Sequence, residues 1–162
     1  MDGADATLRP ARAADAGFLF ELFVHAHGST FAHLDADAPT RDALLRMQFR
    51  AQDLGYRTRF PGARFDVIES GGAPIGRLVV DRCQREIRVV DLALLPARRN
   101  RGIGTALLRA LLAEANANGQ AVTLHVARDN PARSLYQRLG FAIVSEDAVY
   151  TAMTWTQPKI AS

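Results

Sequence analysis

A stretch rich in arginine and glycine, LLPARRNRGIGTALLRALLAEA at residues 94–115, has the residue types and spacing to bind an anion. Four arginines lie before or just inside an apolar, helix-like pattern, namely Arg98, Arg99, Arg101 and Arg109. The first turn of a helix already carries partial positive charge, so cations there are unfavourable unless an anion is bound. Gly102 and Gly104 let the backbone approach that anion because they lack a Cβ atom, and the first N–H groups of the helix are free to donate. The sequence therefore predicts a phosphate or pyrophosphate site at this turn.

Two common phosphate-binding loops fit this turn less well. A P-loop places a lysine and then a serine or threonine after its last glycine, whereas Thr105 follows Gly104 directly. A dinucleotide-binding fingerprint needs a third glycine, and Leu107 stands at that position. A turn with solvated arginines and no ligand is the other interpretation of this short pattern alone.

A second motif begins 26 residues beyond Gly104, where the chain reads NPARSLYQRLGF over residues 130–141. The first motif resembles the pyrophosphate loop of the GNAT superfamily of acyl-CoA N-acyltransferases through Arg99, Asn100, Arg101, Gly102, Ile103 and Gly104. The second resembles that superfamily's N-x-A-x-x-L-Y-x-x-x-G-F signature through Asn130, Ala132, Leu135, Tyr136, Gly140 and Phe141. The spacing of the two motifs and the order of predicted elements along nearly the whole chain are similar as well.

The resemblance implies an α+β fold with a central mixed, mostly antiparallel sheet of about seven strands, splayed in the middle and flanked by about four helices. Acetyl-CoA would be the cosubstrate, with its pantetheine arm between the strand that ends near Leu94 and the strand that ends near Val126. The resemblance assigns its contacts to Leu92, Ala93, Leu94, Arg99, Asn100, Arg101, Gly102, Ile103, Gly104, Thr105, Asn130 and Tyr136. Asn130 is expected to cap a helix at the same time.

The activity implied by the resemblance is N-acetyl transfer to a primary amine by direct attack in a ternary complex. The amine must lose a proton, and the departing thiolate needs a proton or a hydrogen bond. The resemblance gives the second task to Tyr136, for which core packing is the alternative role. Cys83 is not expected to be a nucleophile, because direct attack forms no covalent enzyme intermediate. A non-catalytic CoA-binding regulatory module is the alternative function.

Two residues are candidates for the base that takes the amine proton. His125 lies in the predicted strand 121–126, on the face opposite the apolar side chains, and an ordinary histidine pKa of about 6.5 suits the task. A related branch, the ribosomal-protein N-terminal acetyltransferases, has a glutamate base at this position. A histidine that only lines the cleft or packs in the core is the alternative. Asp91 is the second candidate, with an ion pair to Arg88 or Arg98 as its alternative role.

The N-terminal half is expected to bind the acceptor, a small-molecule or peptide amine. Residues 18–60 supply aromatic and polar side chains for this purpose: Phe20, Phe23, His25, His27, Phe31, His33, Gln48, Gln52 and Tyr56. Asp35 and Asp37 of the predicted loop 27–39 would attract a cationic amine, although packing and solvation account for all these residues equally well. Small amines, amino acids, antibiotics and protein N-termini all stay open as acceptors.

The composition is typical of one globular domain over residues 1–162, with 48% apolar and 23% charged residues. The lone Cys83 excludes an internal disulfide and favours the cytoplasm, and the spacing of cysteine and histidine predicts no metal site. No apolar run reaches the ~18 residues of a membrane span, and the first residues do not resemble a secretory signal. A net charge of +3, with acidic residues spread among the arginines, argues against nucleic-acid binding. A homodimer stays open.

Hydrophobic periodicity and turn residues predict the elements that position the motifs. We expect a strand at 7–11, a helix at 12–26, a loop at 27–39, a helix from Thr40 to about Leu54 and an irregular segment at 56–63. Three antiparallel strands follow at 64–70, 73–83 and 85–95, then a helix from Gly102 to about Asn116 and a strand at 121–126. Asn130 and Pro131 begin a short helix that ends at Leu139, before antiparallel strands at 141–146 and 149–155.

Overall fold

The computed structural model describes residues 5–159, apart from the side chains of Thr30 and Phe31. The elements follow the predicted order: β1 (Ala6–Pro10), α1 (Ala16–Phe31), α2 (Ala38–Arg59), β2 (Arg64–Ser70), β3 (Ala73–Arg82), β4 (Glu86–Leu94), α3 (Ile103–Asn118), β5 (Ala121–Ala127), α4 (Ala132–Arg138), β6 (Ala142–Glu146) and β7 (Tyr150–Trp155). Short 3-10 turns at Ala13–Asp15 and Pro96–Arg98 precede α1 and α3. The strand ends lie close to the predicted ones.

The strands form one seven-stranded sheet in the order β1-β2-β3-β4-β5-β7-β6. Every neighbouring pair is antiparallel except β4 and β5, which run parallel. The parallel pair is a consequence of the connection through α3, because a helical crossover returns the chain to the same end of the sheet. This architecture confirms the expected mixed, mostly antiparallel sheet with four helices.

Helices cover both faces of the sheet. The main buried cluster includes Leu108 and Leu111 of α3, and Leu92 and Leu94 of β4 pack against it. The residues that alternate with them in β4, Asp91 and Ala93, instead line a cavity beneath α1. Since successive side chains of a strand point to opposite faces, α1 and α3 lie on opposite sides of the sheet.

The boundary between α1 and α2 differs from the prediction. α1 continues to Phe31 and α2 begins at Ala38, so much of the predicted loop 27–39 is helical. The cap of α2 is Asp37 and not Thr40: the Asp37 carboxylate accepts the Thr40 backbone N–H at 2.8 Å, with a proline in the first turn. The capping residue therefore lies three residues before the predicted start of the helix.

The C-terminal end of α2 also lies beyond the predicted one. The helix runs to Arg59, so the segment 56–63 is irregular only after that residue. Arg57 donates to Asp53 one turn earlier at 2.9 Å, and Arg57 and Arg59 both lie at the negative end of the helix dipole. These contacts favour the additional turn, which brings Tyr56 close to the sheet.

No helix within residues 5–159 combines the length and the apolar character needed to cross a membrane.

Gly76 lies where β3 and β4 approach too closely for a side chain, which leads to a prediction about stability. A Cβ atom at this position would overlap the Ala93 carbonyl oxygen and lie 2.8 Å from Leu94 Cδ2. We expect Gly76→Ala to lower the free energy of unfolding by about 2 kcal/mol, as overpacking does elsewhere. In the matched control Gly55→Ala the added Cβ meets nothing within 4 Å, so this helical site should gain about 0.5–1 kcal/mol. Urea denaturation measures the free energy of unfolding of both variants. Equal midpoints for the two would contradict the prediction.

Candidate functional site

A gap opens in the sheet where β4 and β5 separate. The two strands pair only from Glu86 with Ala121 to Val89 with Leu124. Beyond this point β4 continues to Leu94 and β5 to Ala127 without pairing to each other. The expected splay in the middle of the sheet is therefore present, and it has the form of a V that opens towards the C-terminal ends of both strands.

The β4 side of the gap presents backbone hydrogen-bonding groups. Leu95 N–H donates to the Ile75 carbonyl at 2.9 Å, and the register with β3 alternates from there. In an antiparallel pair this alternation turns the backbone groups of Ala93 towards β3 and those of Leu92 and Leu94 away from it, into the gap. An extended ligand in the gap would find the N–H and carbonyl groups of Leu92 and the N–H group of Leu94, whereas the Leu94 carbonyl accepts from the Arg99 side chain.

The turn between β4 and α3 exposes the N-terminus of that helix. Asn100 has a φ of 60° and Gly102 a φ of 80°, so the chain passes through the left-handed region twice before α3 begins. The first hydrogen bond of the helix is from Ala106 N–H to the Gly102 carbonyl at 3.0 Å. The N–H groups of Ile103, Gly104 and Thr105 therefore precede the intrahelical ladder and point out of the helix.

The space around this helix N-terminus suits an anion. An added Cβ on Gly104 would meet only Leu92 Cδ2, at 3.9 Å. The side chain of Arg99 turns back and donates through Nε to the Leu94 carbonyl at 3.0 Å, so it braces the turn against the end of β4. Backbone N–H groups and the helix dipole therefore both favour an anion at this position.

The second motif forms a loop and a helix that end in a buried tyrosine. Asn130 Oδ1 accepts the Ala132 backbone N–H at 2.9 Å, which holds the first turn of α4, although Pro131 is the residue immediately before the helix. Tyr136 is buried, with its ring edge-on to Phe141 at 5.8 Å between centroids. Burial, together with the negative charge of Asp91, raises the pKa of Tyr136 to about 12. Its hydroxyl group therefore keeps its proton at neutral pH.

Asp91 lies on the opposite wall of the gap in an ion pair with Arg77. The Asp91 carboxylate accepts from Arg77 Nη2 at 2.6 Å and from Nε at 3.0 Å. The alternative role expected for Asp91, an ion pair with a nearby arginine, is therefore present, but the partner is Arg77 and not Arg88 or Arg98, because the register places Val79 opposite Asp91 and brings Arg77 diagonally beside it. The Arg77 side chain is only 6% exposed and also donates to Gln52 Oε1 at 3.0 Å.

A small polar cavity adjoins this ion pair beneath α1. Its walls include His27, Gln52, Arg77 and Asp91, and its volume of about 30 Å³ is sufficient for a water molecule. The pKa of His27 is lowered mainly by burial and secondarily by the charge of Arg77, while Asp91 acts in the opposite direction. His27 is therefore neutral at pH 7 and able to share a proton with water beside Asp91.

His125 lies on β5 with its side chain exposed, facing away from the buried Val122, Leu124 and Val126 as predicted. Arg88 Nη2 lies 2.9 Å from His125 Nδ1. Because a guanidinium can only donate, Nδ1 accepts this hydrogen bond and the proton of the neutral ring resides on Nε2. The pKa of His125 is lowered by partial burial first and then by the charges of Arg88 and Arg59, with Asp147 opposing them.

The acceptor residues expected in the N-terminal half lie in three places: around the cavity beside Asp91, in the packing between α1 and α2, and on the exposed surface. Phe23, His27 and Gln52 line the cavity beside Asp91, and the Arg77 guanidinium lies 5.7 Å from the ring of Tyr56. Phe20 and Phe23 pack against Phe49 between α1 and α2. The exposed ones are His25, His33, Asp35, Asp37 and Gln48, of which Asp37 caps α2. The side chain of Phe31 lies outside the described part of the chain.

Two arginines near the gap, Arg77 and Arg59, were not identified as site residues from the sequence. Arg77 stands in an alternating strand pattern as an apparently outward-facing residue, and only its register with Asp91 shows its role. Arg59 falls in the segment predicted as irregular. Across residues 5–159, no three His, Cys, Asp or Glu side chains are grouped to bind a metal ion.

Comparisons with known proteins agree with this geometry. Residues 18–141 match the Acetyltransferase (GNAT) family. The fold is similar to that of PaiA N-acetyltransferase from Thermoplasma acidophilum in complex with coenzyme A, with a TM-score of 0.70, 18% identity and coverage of 94% of this chain and 99% of that one. An acetyltransferase from Thermus thermophilus gives a TM-score of 0.68 and 23% identity, with 97% and 100% of the two chains covered. The fold is also similar to that of YncA from Salmonella typhimurium, solved with acetyl-CoA. The TM-score is 0.57 and the identity 22%, with coverage of 97% of this chain and 96% of that one.

The Arg88–His125 contact generates a prediction about the histidine. Arg88→Gln should raise the pKa of His125 towards its ordinary value of 6.5, because it removes a positive charge close to Nδ1. An NMR titration of the His125 ring measures this pKa. The control is Arg57→Gln, which removes a charge from the same end of α2. Because the Arg57 side chain pairs with Asp53, this variant should leave the pKa of His125 unchanged. The same His125 pKa in the Arg88→Gln and wild-type proteins would show that the charge of Arg88 does not lower it.

Proposed function

The chain belongs to the GNAT family of acetyltransferases, and from this premise we propose that it transfers the acetyl group of acetyl-CoA to a primary amine by direct attack in a ternary complex. The observation that carries the proposal is the splayed β4–β5 pair with an exposed helix N-terminus beside it. The acceptor is a small amine, an amino acid or antibiotic, or a protein N-terminus. The single domain over residues 1–162 and the cytoplasmic location stay predictions.

The gap and its turn fit the two chemical parts of acetyl-CoA. The backbone groups of Leu92 and Leu94 would pair with the amide groups of the pantetheine arm as a strand neighbour does. The N–H groups of Ile103, Gly104 and Thr105 would bind the pyrophosphate, and the left-handed Gly102 directs the chain into that position. Asn130, at the start of α4, faces the same ligand from the β5 side.

The residues on the walls of the gap have complementary acid and base properties. Acetyl-CoA supplies the acetyl thioester. Burial raises the pKa of Tyr136 to about 12, so its hydroxyl group stays protonated and would donate a hydrogen bond to the departing sulfur. Asp91 provides a carboxylate on the β4 wall, close enough for its charge to act on the Tyr136 hydroxyl and beside a cavity with room for water.

Between the two candidate bases, the arrangement favours Asp91. The Nδ1 lone pair of His125 is engaged by Arg88, and its Nε2 carries the proton, so the neutral ring presents a donor to the gap. Both Arg77 hydrogen bonds go to Oδ2 of Asp91, so its Oδ1 can accept the proton of the amine directly or through water in the cavity that His27 and Gln52 line. His125 then acts as a hydrogen-bond donor on the wall of the gap.

Substitution of Gly104 tests the phosphate site. Gly104→Val should weaken CoA binding at least about tenfold, because a branched side chain would stand where phosphates approach the helix N–H groups. Stability should change little, since the nearest atom to an added Cβ is 3.9 Å away. The matched control is Gly17→Val, at the second residue of α1 with nothing within 4 Å. Calorimetry with CoA measures the affinity, and wild-type affinity in Gly104→Val would exclude this turn as the phosphate site.

The base assignment leads to a second kinetic prediction. Asp91→Asn should lower kcat about 100-fold at saturating amine and leave acetyl-CoA affinity unchanged, because general base catalysis is lost while the residue size is kept. The remaining rate should rise with pH as more of the amine becomes neutral. His125→Gln should stay within about threefold of the wild-type kcat, since glutamine still accepts from Arg88.

A thiol-release assay with acetyl-CoA and a library of amines provides these rates. A larger loss in His125→Gln than in Asp91→Asn would reverse the base assignment. Folded protein that binds CoA but releases no thiol with any amine would favour the regulatory module. The absence of any stabilisation by millimolar acetyl-CoA would overturn the proposed function itself, because a ligand that binds the folded state must raise its melting temperature.

A further inference from the structure

Two arginines at the closed end of the gap have no part in the proposed reaction. Arg59 ends α2 and Arg88 lies in β4, and their guanidinium carbons lie 5.4 Å and 5.8 Å from the ring centroid of Phe60. Arg88 faces Thr123 in the last stretch of β4–β5 pairing and reaches diagonally to His125. The two cations, the aromatic ring and the histidine therefore form one cluster, which we call the arginine cluster.

The charge of the arginine cluster is not neutralised by neighbouring acids. Across residues 5–159, neither Arg59 nor Arg88 has a carboxylate oxygen within ion-pair distance, whereas nearby arginines do: Arg57 with Asp53, Arg64 with Asp66 and Arg77 with Asp91. Arg88 is half-buried. Burial lowers its pKa and outweighs the charge of Glu86, which acts in the opposite direction. Desolvating a cation without an anionic partner costs free energy that a bound anion would recover.

Among residues 5–159, the acid that acts on His125 is Asp147, and it is already engaged. Asp147 lies in the turn between β6 and β7, and its carboxylate accepts the backbone N–H groups of Val149 and Tyr150, each at 2.7 Å. These bonds account for the lowered pKa of Asp147 and hold the side chain in its own turn. It therefore leaves the donors of Arg59, Arg88 and His125 for another partner.

Tyr56 connects the arginine cluster with the proposed base. The pKa of this half-buried tyrosine is raised, chiefly by burial. The charge of Asp91 raises it further, Arg77 and Arg59 lower it, and Tyr150 raises it. The Arg77 guanidinium is 5.7 Å from its ring. The α1–α2 face of the gap thus has an acid at one end, a cationic cluster at the other and an aromatic side chain between them.

We propose that the acceptor is an amine that carries an anionic oxygen group, a carboxylate or a phosphate, and that Arg59 and Arg88 bind this group while the amine lies towards Asp91. This inference rests on the proposed function and names the substrate class of the same site. Guanidinium groups suit the task because their planar forks donate two parallel hydrogen bonds to such oxygens. His125 adds a further donor through Nε2, as its tautomer requires.

Matched acceptors test the anionic group. L-amino acids are compared with their α-carboxamides, and phosphoethanolamine with ethanolamine, in the thiol-release assay with saturating acetyl-CoA. We expect at least one anionic acceptor to have a kcat/KM about tenfold or more above its neutral counterpart, with the difference mainly in KM. The amino-acid pairs and the phosphoethanolamine pair show whether the group is a carboxylate or a phosphate.

Substitutions in the arginine cluster test the assignment to residues. Arg88→Gln should remove the preference for the anionic acceptor by raising its KM about 10- to 100-fold, with little effect on the KM of the neutral counterpart. Arg88→Lys keeps the charge without the fork and should recover part of the preference. Arg59→Gln should act in the same direction. Arg57→Gln, whose side chain pairs with Asp53, is the matched control and should retain the full preference.

A binding measurement keeps the inference testable without turnover. The same acids and amides are titrated calorimetrically into CoA-saturated wild-type and Arg88→Gln proteins, after acetyl-CoA has been shown to raise the melting temperature of both. If neither phosphoethanolamine nor the amino acids are preferred to their neutral counterparts in rate or in binding, or if the preference survives Arg88→Gln and Arg59→Gln, the inference is overturned while the proposed function stands. A protein that acetyl-CoA does not stabilise contradicts the proposed function instead.

Discussion

The separation of β4 from β5 is the constraint on which the rest of the site depends. A β-bulge opposite the Val79–Val80 step interrupts the β3–β4 register in the stretch of β4 from Val89 to Asp91. Pairing between β4 and β5 ends at the same point, Val89 with Leu124. A bulge bends its strand and increases the local twist, so it directs the remainder of β4 away from β5 while the pairing with β3 continues. The N–H and carbonyl groups of Leu92 and the N–H group of Leu94 then have no strand partner on this side, while the Leu94 carbonyl accepts from Arg99.

Electrostatic pairs on the two strands extend this division. Asp91 follows the bulge and pairs with Arg77 on β3. Arg88 precedes the bulge and donates to His125 on β5. The bulge therefore separates an acid–cation pair, which faces the opening of the gap, from a cation–imidazole pair at its closed end. The additional turn of α2 brings Tyr56 over the first pair and Arg59 towards the second.

Features that depend on local sequence were predicted well. The left-handed Gly102 and the free N–H groups after it lie where the glycines predict a turn, and the order of elements along the chain followed from alternation and turn residues. Phosphate binding at this turn stays a prediction. Contacts set by register were missed: the partner of Asp91 is Arg77 because a bulge shifts the ladder, and no local pattern encodes that shift. The extent of α2 was missed because the capping and ion-pair contacts of Asp37 and Arg57 outweigh the low apolar periodicity of the segment. The tautomer of His125 follows only from its contact with Arg88.

The second motif is explained mostly by the placement of one tyrosine. Asn130 accepts the Ala132 N–H group at the start of α4, and Leu135 packs against the core. Gly140 has a φ of 100° and an added Cβ there would lie 3.3 Å from Trp155 Cδ1, so the chain turns sharply against that ring. The turn brings Phe141 edge-on to Tyr136. A phenylalanine would fill the buried position of Tyr136 equally well, so packing accounts for the ring and leaves the hydroxyl group unexplained. The negative charge of Asp91 acts on that hydroxyl group from the other wall of the gap, which fits the donor proposed for the leaving sulfur.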